Sequence, residues 1–230
     1  MTNEIPLSGG RTTDAVVRIG ATVRRRRKPT STFVASLLQH LDRVDFDGAP
    51  RFLGVDEHGR DILSFIAGDV PDDLGWHADH VLIAAANLIR RYHDATTTLI
   101  VSPAAQAEGI EVVCHNDLSP CNAVFRQGLP LALIDFDAAA PGTRLHDLGY
   151  AIWLWLDIGR KDVDCKTQFR RLQLFTQAYG FDGNEAHIID AVVTRQKLLI
   201  DEGQSLKNPK RTQWAADCRQ WTLDNLVRRK

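Results

Sequence analysis

The chain has 230 residues, 44% of them hydrophobic and 25% charged, which suits one large or two small soluble domains with a sizeable core. A net charge of -1 argues against general affinity for nucleic acid or anionic membrane. The longest apolar run, Leu148–Leu156, is far short of the ~20 residues that span a bilayer, and MTNEIPLSGG lacks the basic-then-apolar pattern of a signal peptide.

Residues 4–27 read as three short strands, about Ile5–Leu7, Ala15–Ile19 and Thr22–Arg26. Gly9 and Gly10 lie between the first two, and Gly20-Ala21 makes a tight turn before the third. A glycine turn lets backbone N–H groups come close to phosphate, because no side chain intrudes. The run Arg24-Arg25-Arg26-Arg27-Lys28 is short, unrepeated and inside a strand pattern, so by itself it reads as a solvated edge. Ser31–Leu41 is helical, with Phe33, Val34, Leu37, Leu38 and Leu41 at helical spacing and Ser31 or Thr30 as cap. Arg51–Asp56 and Asp61–Ile66 form a hairpin across Glu57–Arg60, and Pro71 opens a polar segment running to Trp76.

His77–Thr96 is a strongly amphipathic helix that ends at His93-Asp94, where the histidine reads as structural. Val101–Gly109 reads as a loop. Residues 111–137, EVVCHNDLSPCNAVFRQGLPLALIDFD, then give a strand (Glu111–Cys114), a polar loop and a strand (Asn122–Phe125). A Gln127-Gly128 turn leads to a buried strand, Leu131–Ile134, ending in Asp135-Phe136-Asp137. After a loop at 138–144, Leu148–Leu156 is apolar all round and reads as a central helix, with Asp147 able to cap it. Helices follow at about Val163–Tyr179, Glu185–Ile200 and Thr212–Val227; the acids Asp157, Asp162, Asp164, Asp201 and Glu202 read as solvated.

The four cysteines form no Cys-x-x-Cys pair. They read as free thiols in a reducing cytoplasm, since a zinc site from Cys114, His115 and Cys121 lacks a second paired set of ligands.

The chemistry concentrates in 111–137. A hairpin brings its ends together, so Asp117, Asn122 and Asp135 can converge. Such oxygen ligands suit Mg2+, which takes few carboxylates and leaves room for phosphate oxygens. The spacing His115-x-Asp117-x4-Asn122 is that of a kinase catalytic loop, where the Asp handles the acceptor hydroxyl and the Asn holds metal.

His115-Asn116-Asp117-Leu118-Ser119-Pro120-Cys121-Asn122, followed by Ile134-Asp135-Phe136-Asp137, resembles the aminoglycoside phosphotransferase family within the choline-kinase-like, protein-kinase-like group. The resemblance implies an α+β, two-lobed kinase-like fold: a shortened antiparallel N-terminal lobe over residues 1–69 and a mainly helical lobe over 70–230. It implies ATP, with GTP not excluded, and Mg2+ as cofactors, and a small-molecule hydroxyl as acceptor. Asp117 would then be catalytic, with His115 fixing the loop, and Asn122, Asp135 and Asp137 would face the metal. Gly9 and Gly10 would form the nucleotide loop, and Phe65 and Ile66 the hinge that reads adenine. Arg24 would be the phosphate-binding cation, with Arg25, on the face of Val23, as the fallback.

In that family an acid at Asp147 also braces the catalytic loop. The chain departs from the pattern in having no glutamate between Lys28 and Leu41 to brace the phosphate-binding cation; Val34 falls near that place. This departure leaves open a non-catalytic nucleotide binder, and a Mg-dependent phosphate-ester hydrolase is a second alternative.

Overall fold

The computed structural model describes residues 4–7 and 16–228. Gly9 and Gly10 lie outside the described residues. Five strands, β1 (Ile5–Pro6), β2 (Val17–Ile19), β3 (Thr22–Arg26), β4 (Phe52–Val55) and β5 (Arg60–Ser64), form one antiparallel sheet in the order β1-β2-β3-β5-β4. In β3 and β5, Val23 pairs with Leu63, Arg24 with Ile62 and Arg25 with Asp61. Because side chains alternate along a strand, Val23, Arg25, Asp61 and Leu63 share one face and Arg24 the other. Helix α1 (Ser31–Arg43) follows the third strand and buries Val34, Leu37, Leu38 and Leu41.

The remainder is mostly helical. An extended segment leads from the sheet to α2 (Asp79–Thr96), and on the way Asp69 and Phe125 exchange backbone hydrogen bonds of 2.9 and 2.7 Å. Gly68 makes that crossing possible: a Cβ there would lie 2.3 Å from the Phe125 carbonyl oxygen, at a φ of +158°. A short helix α3 (Pro103–Ala107) occupies the segment expected to be a loop. Ser102 caps it, accepting from the Ala105 N–H, and Pro103 starts it, although five residues are too few to show an apolar period.

Strand β6 (Val112–Cys114) pairs with β9 (Ala140–Gly142), while β7 (Ala123–Arg126) and β8 (Leu129–Leu133) form the hairpin. The expected loop at 138–144 therefore contains a strand whose partner lies some 28 residues earlier in the chain. Helix α4 (Arg144–Trp155) is buried as expected, but its cap is Thr143, which accepts from the His146 N–H; the Asp147 carboxylate is used elsewhere. Helix α5 (Cys165–Tyr179) packs on α2, α6 (Glu185–Ser205) on α4, and α7 (Pro209–Thr222) on α6, with a terminal π-turn at Leu223–Val227. Gly149 lets α4 and α6 meet, since a Cβ there would lie 2.7–2.9 Å from Ala191. Trp153 stacks on Trp214 at 4.9 Å between ring centroids, so this tryptophan belongs to the core.

No helix among the described residues is long and apolar enough to cross a membrane. Nor do they hold a group of three His, Cys, Asp or Glu placed for a metal; Cys114 instead donates to the Thr143 carbonyl. The acids on the helical surface are engaged locally: Asp162 with Arg160, Asp201 with Lys197, Glu202 with Arg211, and Asp164 as the cap of α5.

Candidate active site

The catalytic-loop segment is fixed by one buried carboxylate. Asp147, fully enclosed at the start of α4, accepts from the backbone N–H of His115 at 2.7 Å and of Asn116 at 2.8 Å, and from His93 Nε2 at 3.1 Å. Burial alone would raise this carboxyl, but the hydrogen bond and charge of His93, with the His115 amide, hold it below its ordinary value. His93 Nδ1 lies 2.7 Å from the Tyr179 hydroxyl, so the ring links Tyr179 to the Asp147 carboxylate. Asn116 adopts a φ of +64°, and its Nδ2 donates to the Ala138 carbonyl. Arg195 of α6 donates to the Asn116 carbonyl at 2.9 Å.

His115 is buried and its Nε2 donates to the Ile134 carbonyl at 3.0 Å, with the ring against Phe136 at 4.7 Å. It ties the loop to the end of β8, a holding role. Asp117 has both carboxylate oxygens occupied: Oδ1 accepts from the Tyr150 hydroxyl at 3.0 Å, and Oδ2 from Asn122 Nδ2 at 2.8 Å. Burial, then the Asp117 charge, pushes the Tyr150 phenol up, so it remains a donor to Asp117.

Asn122 and Asp135 come together because the Ile134 N–H donates to the Asn122 carbonyl at 2.9 Å, closing the base of the hairpin. With Nδ2 turned to Asp117, Asn122 presents Oδ1, to which no described residue donates. Asp135, in a left-handed conformation (φ +62°), accepts no hydrogen bond from a described residue. The protein around it, then the Asp137 charge, raises its carboxyl. Undonated oxygens of Asn122 and Asp135, both lining the same cleft, are of the type that suits a hard cation. Asp137 is engaged differently: its Oδ1 accepts from Arg25 at 2.6 Å and its Oδ2 from Lys28 at 2.7 Å. These two cations outweigh burial and lower its carboxyl.

Asn122, Asp135 and Asp137 open on a cleft of about 560 Å³ between the sheet and the helical part. Its apolar walls include Val23, Leu63, Ile66 and Val124, while Arg25, Lys28, Asn122, Asp135 and Asp137 gather at its polar side. Of the expected nucleotide residues, Phe65 and Ile66 line the cleft. The Phe65 N–H is taken by Ala21 at 2.9 Å, whereas Ile66 makes no backbone hydrogen bond among the described residues. Arg24 is not brought to the others: it turns to the opposite face and bonds Thr22 Oγ1 at 2.7 Å and pairs with Asp56 at 3.6 Å. Strand parity puts Arg25 in the cleft instead.

Sequence reading did not single out Tyr150, Arg195, Lys28 or Asp61. Tyr150 carried a signal, lying one helical turn from Asp147, whereas Arg195 reaches the loop from a helix some 80 residues away.

The family described as phosphotransferase enzyme family (APH) matches residues 32–180. The trifolitoxin immunity protein of Rhizobium leguminosarum bv. trifolii is 38% identical over 214 residues, 84% of this chain and 81% of that protein. Among solved structures, the GDP complex of aminoglycoside 2'-phosphotransferase-IIIa superposes with a TM-score of 0.61 at 12% identity, covering 97% of this chain and 93% of that one. Aminoglycoside phosphotransferase APH(3'')-Id from Streptomyces rimosus, solved with ADP and streptomycin, gives 0.56 at 14% identity, covering 95% and 92%. The chain therefore belongs to the phosphotransferase enzyme family and has its kinase-like fold.

Proposed function

We propose that the chain transfers the terminal phosphoryl group of ATP, with Mg2+, to a hydroxyl of a small molecule. The observation that carries this is Asp117, held from both sides by Asn122 and Tyr150, with Asn122 itself and Asp135 lining a nucleotide-sized cleft. Asp117 orients the acceptor hydroxyl and takes its proton as the new phosphate ester bond forms and the bond between the β- and γ-phosphates of ATP breaks, with ADP as the leaving group. The Asp147 and His115 contacts fix the loop so that Asp117 needs no rearrangement. Arg25 and Lys28 offer positive charge to the phosphates, and the apolar walls take the base, with Ile66 free to hydrogen-bond its edge. Mg2+ held by Asn122 and Asp135 would neutralise charge on the phosphates.

The related protein's name concerns immunity to a toxin. Phosphorylating an antimicrobial compound to disarm it is the acceptor chemistry that suits such a role, in the cytoplasm where ATP is supplied, with neither nucleic acid nor membrane as partner. The solvated, ion-paired acids of the helical surface offer no dense acidic cleft, which favours an acceptor other than a polycation.

Calorimetry of ATP with and without Mg2+, on the unsubstituted chain and Asp135→Asn, tests the site; an acceptor screen with Asp117→Ala as control tests turnover. The expected result is Mg-dependent binding that weakens sharply in Asp135→Asn, and turnover lost in Asp117→Ala. Binding without turnover on any acceptor makes the chain a non-catalytic nucleotide binder. Phosphate release from a monoester, with no acceptor, makes it a hydrolase.

A further inference from the structure

Helix α1 contains one acidic residue, Asp42, at its far end, where it pairs with Arg51 at 2.8 Å. Its inward face is Val34, Leu37, Leu38 and Leu41, so the helix offers the cleft cations no carboxylate. The sheet does. Asp61 of β5 lies directly opposite Arg25 of β3, and its Oδ2 is 3.5 Å from Arg25 Nε; its Oδ1 is 3.3 Å from Arg27 Nε. Asp61 is 1% exposed. An anion so buried is retained only against cations, and here two guanidiniums flank it. Asp61 faces Arg25 Nε as an ion pair without a hydrogen bond, while Arg25 Nη1 donates to Asp137 at the polar side of the cleft.

Arg25 and Lys28 both bring their cations to Asp137 at the polar side of the cleft, where phosphate oxygens fit.

We propose that Asp61 is the positioning residue of the phosphate-binding cation: it holds Arg25 from the neighbouring strand, doing from within the sheet what α1 cannot. This rests on the phosphotransferase reading above. Asp61 touches neither nucleotide nor acceptor and acts through Arg25.

The test is a binding cycle by calorimetry with Mg2+, using ATP and adenosine as probes on the unsubstituted chain, Asp61→Asn, Arg25→Met and the double variant. Asp61→Asn should weaken ATP binding on the order of tenfold, the scale of one charge-assisted contact, and leave adenosine binding unchanged. In the Arg25→Met background the same substitution should have no further effect, and Asp61→Glu, which keeps the charge, should recover most of the loss. In turnover, Asp61→Asn should raise KM for ATP more than it lowers kcat. Unchanged ATP affinity in Asp61→Asn overturns the assignment. So does a parallel loss of adenosine affinity, which marks a merely structural role, or a full loss persisting without Arg25. Should Asp61→Asn not fold, Asp61→Glu takes its place: ATP affinity close to that of the unsubstituted chain supports the positioning role, and loss of ATP affinity, with or without loss of adenosine binding, overturns it. If the unsubstituted chain binds neither probe, the phosphotransferase reading itself falls, and the role of Asp61 with it.

Discussion

Replacing Asp147 with asparagine keeps the shape of the side chain and removes its charge. The two oxygens now serve three donors: Asn116 N–H on Oδ1, and His115 N–H and His93 Nε2 on Oδ2. In asparagine the carbonyl can keep the Asn116 N–H, but the amide nitrogen then faces the other two donors. His93 can adapt by moving its proton to Nδ1, which donates to Tyr179, so that Nε2 accepts from the new amide. The His115 N–H has no such escape and is left unpaired beside a fully buried residue.

A lost charge-assisted bond and one orphaned buried donor together cost about 3 kcal/mol. For a chain of this length that corresponds to a fall in Tm of about 6–12 °C. Asp147→Ala removes every acceptor, leaves His93 nothing to adapt to, and should cost more. Denaturant titration followed by tryptophan fluorescence measures both, and equal slopes would show that the unfolding reaction is unchanged. A loss below about 1 kcal/mol for asparagine, or equal losses for asparagine and alanine, would refute this account of the hub.

The remaining expectations follow from particular contacts. Arg25→Ala should weaken Mg-ATP binding whereas Arg24→Ala, on the opposite face, should leave it unchanged; the reverse order in calorimetry would restore Arg24 to the site. Gly149→Ala forces a methyl group into the Ala191 backbone and should destabilise by about 1–3 kcal/mol, measured by thermal unfolding, with no change if α4 and α6 slide apart freely. The raised Asp135 carboxyl takes up its proton at a higher pH than an ordinary aspartate, so Mg-dependent ATP binding should start to fall on acidification above the usual value of 3.8. The same shift means that ionised Asp135 costs stability at neutral pH, because the folded state holds the proton more tightly than the unfolded one. Asp135→Asn should therefore raise Tm without metal while abolishing metal binding, and a fall in Tm would contradict it. Asp147 has the opposite sign: its lowered carboxyl stabilises the fold fully above about 3.8, and that contribution declines as pH falls through the lowered value.

The local chemistry was legible in the chain itself. The spacing from His115 to Asn122, the Gln127-Gly128 turn and the apolar run before Asp135 are neighbours in sequence, and short-range turn geometry suffices to assemble them. Helices α1, α2 and α4–α6 were readable for the same reason, since their apolar periods are long enough to stand out. The pairing of β6 with β9, by contrast, joins distant segments and leaves no local trace. The cation at the cleft shows where the boundary falls. Five consecutive basic residues fix that positive charge sits there, but which of them enters the cleft depends on the facing strand, and its register with Asp61 and Leu63 selects Arg25 over Arg24. For Asp147 the helix start suggested a cap and the family resemblance a brace for the loop; packing α4 beneath the loop turned its carboxylate to the backbone of His115 and Asn116 and left the cap to Thr143. A carboxylate goes where buried donors would otherwise be unpaired, and only the assembled core determines where those donors lie.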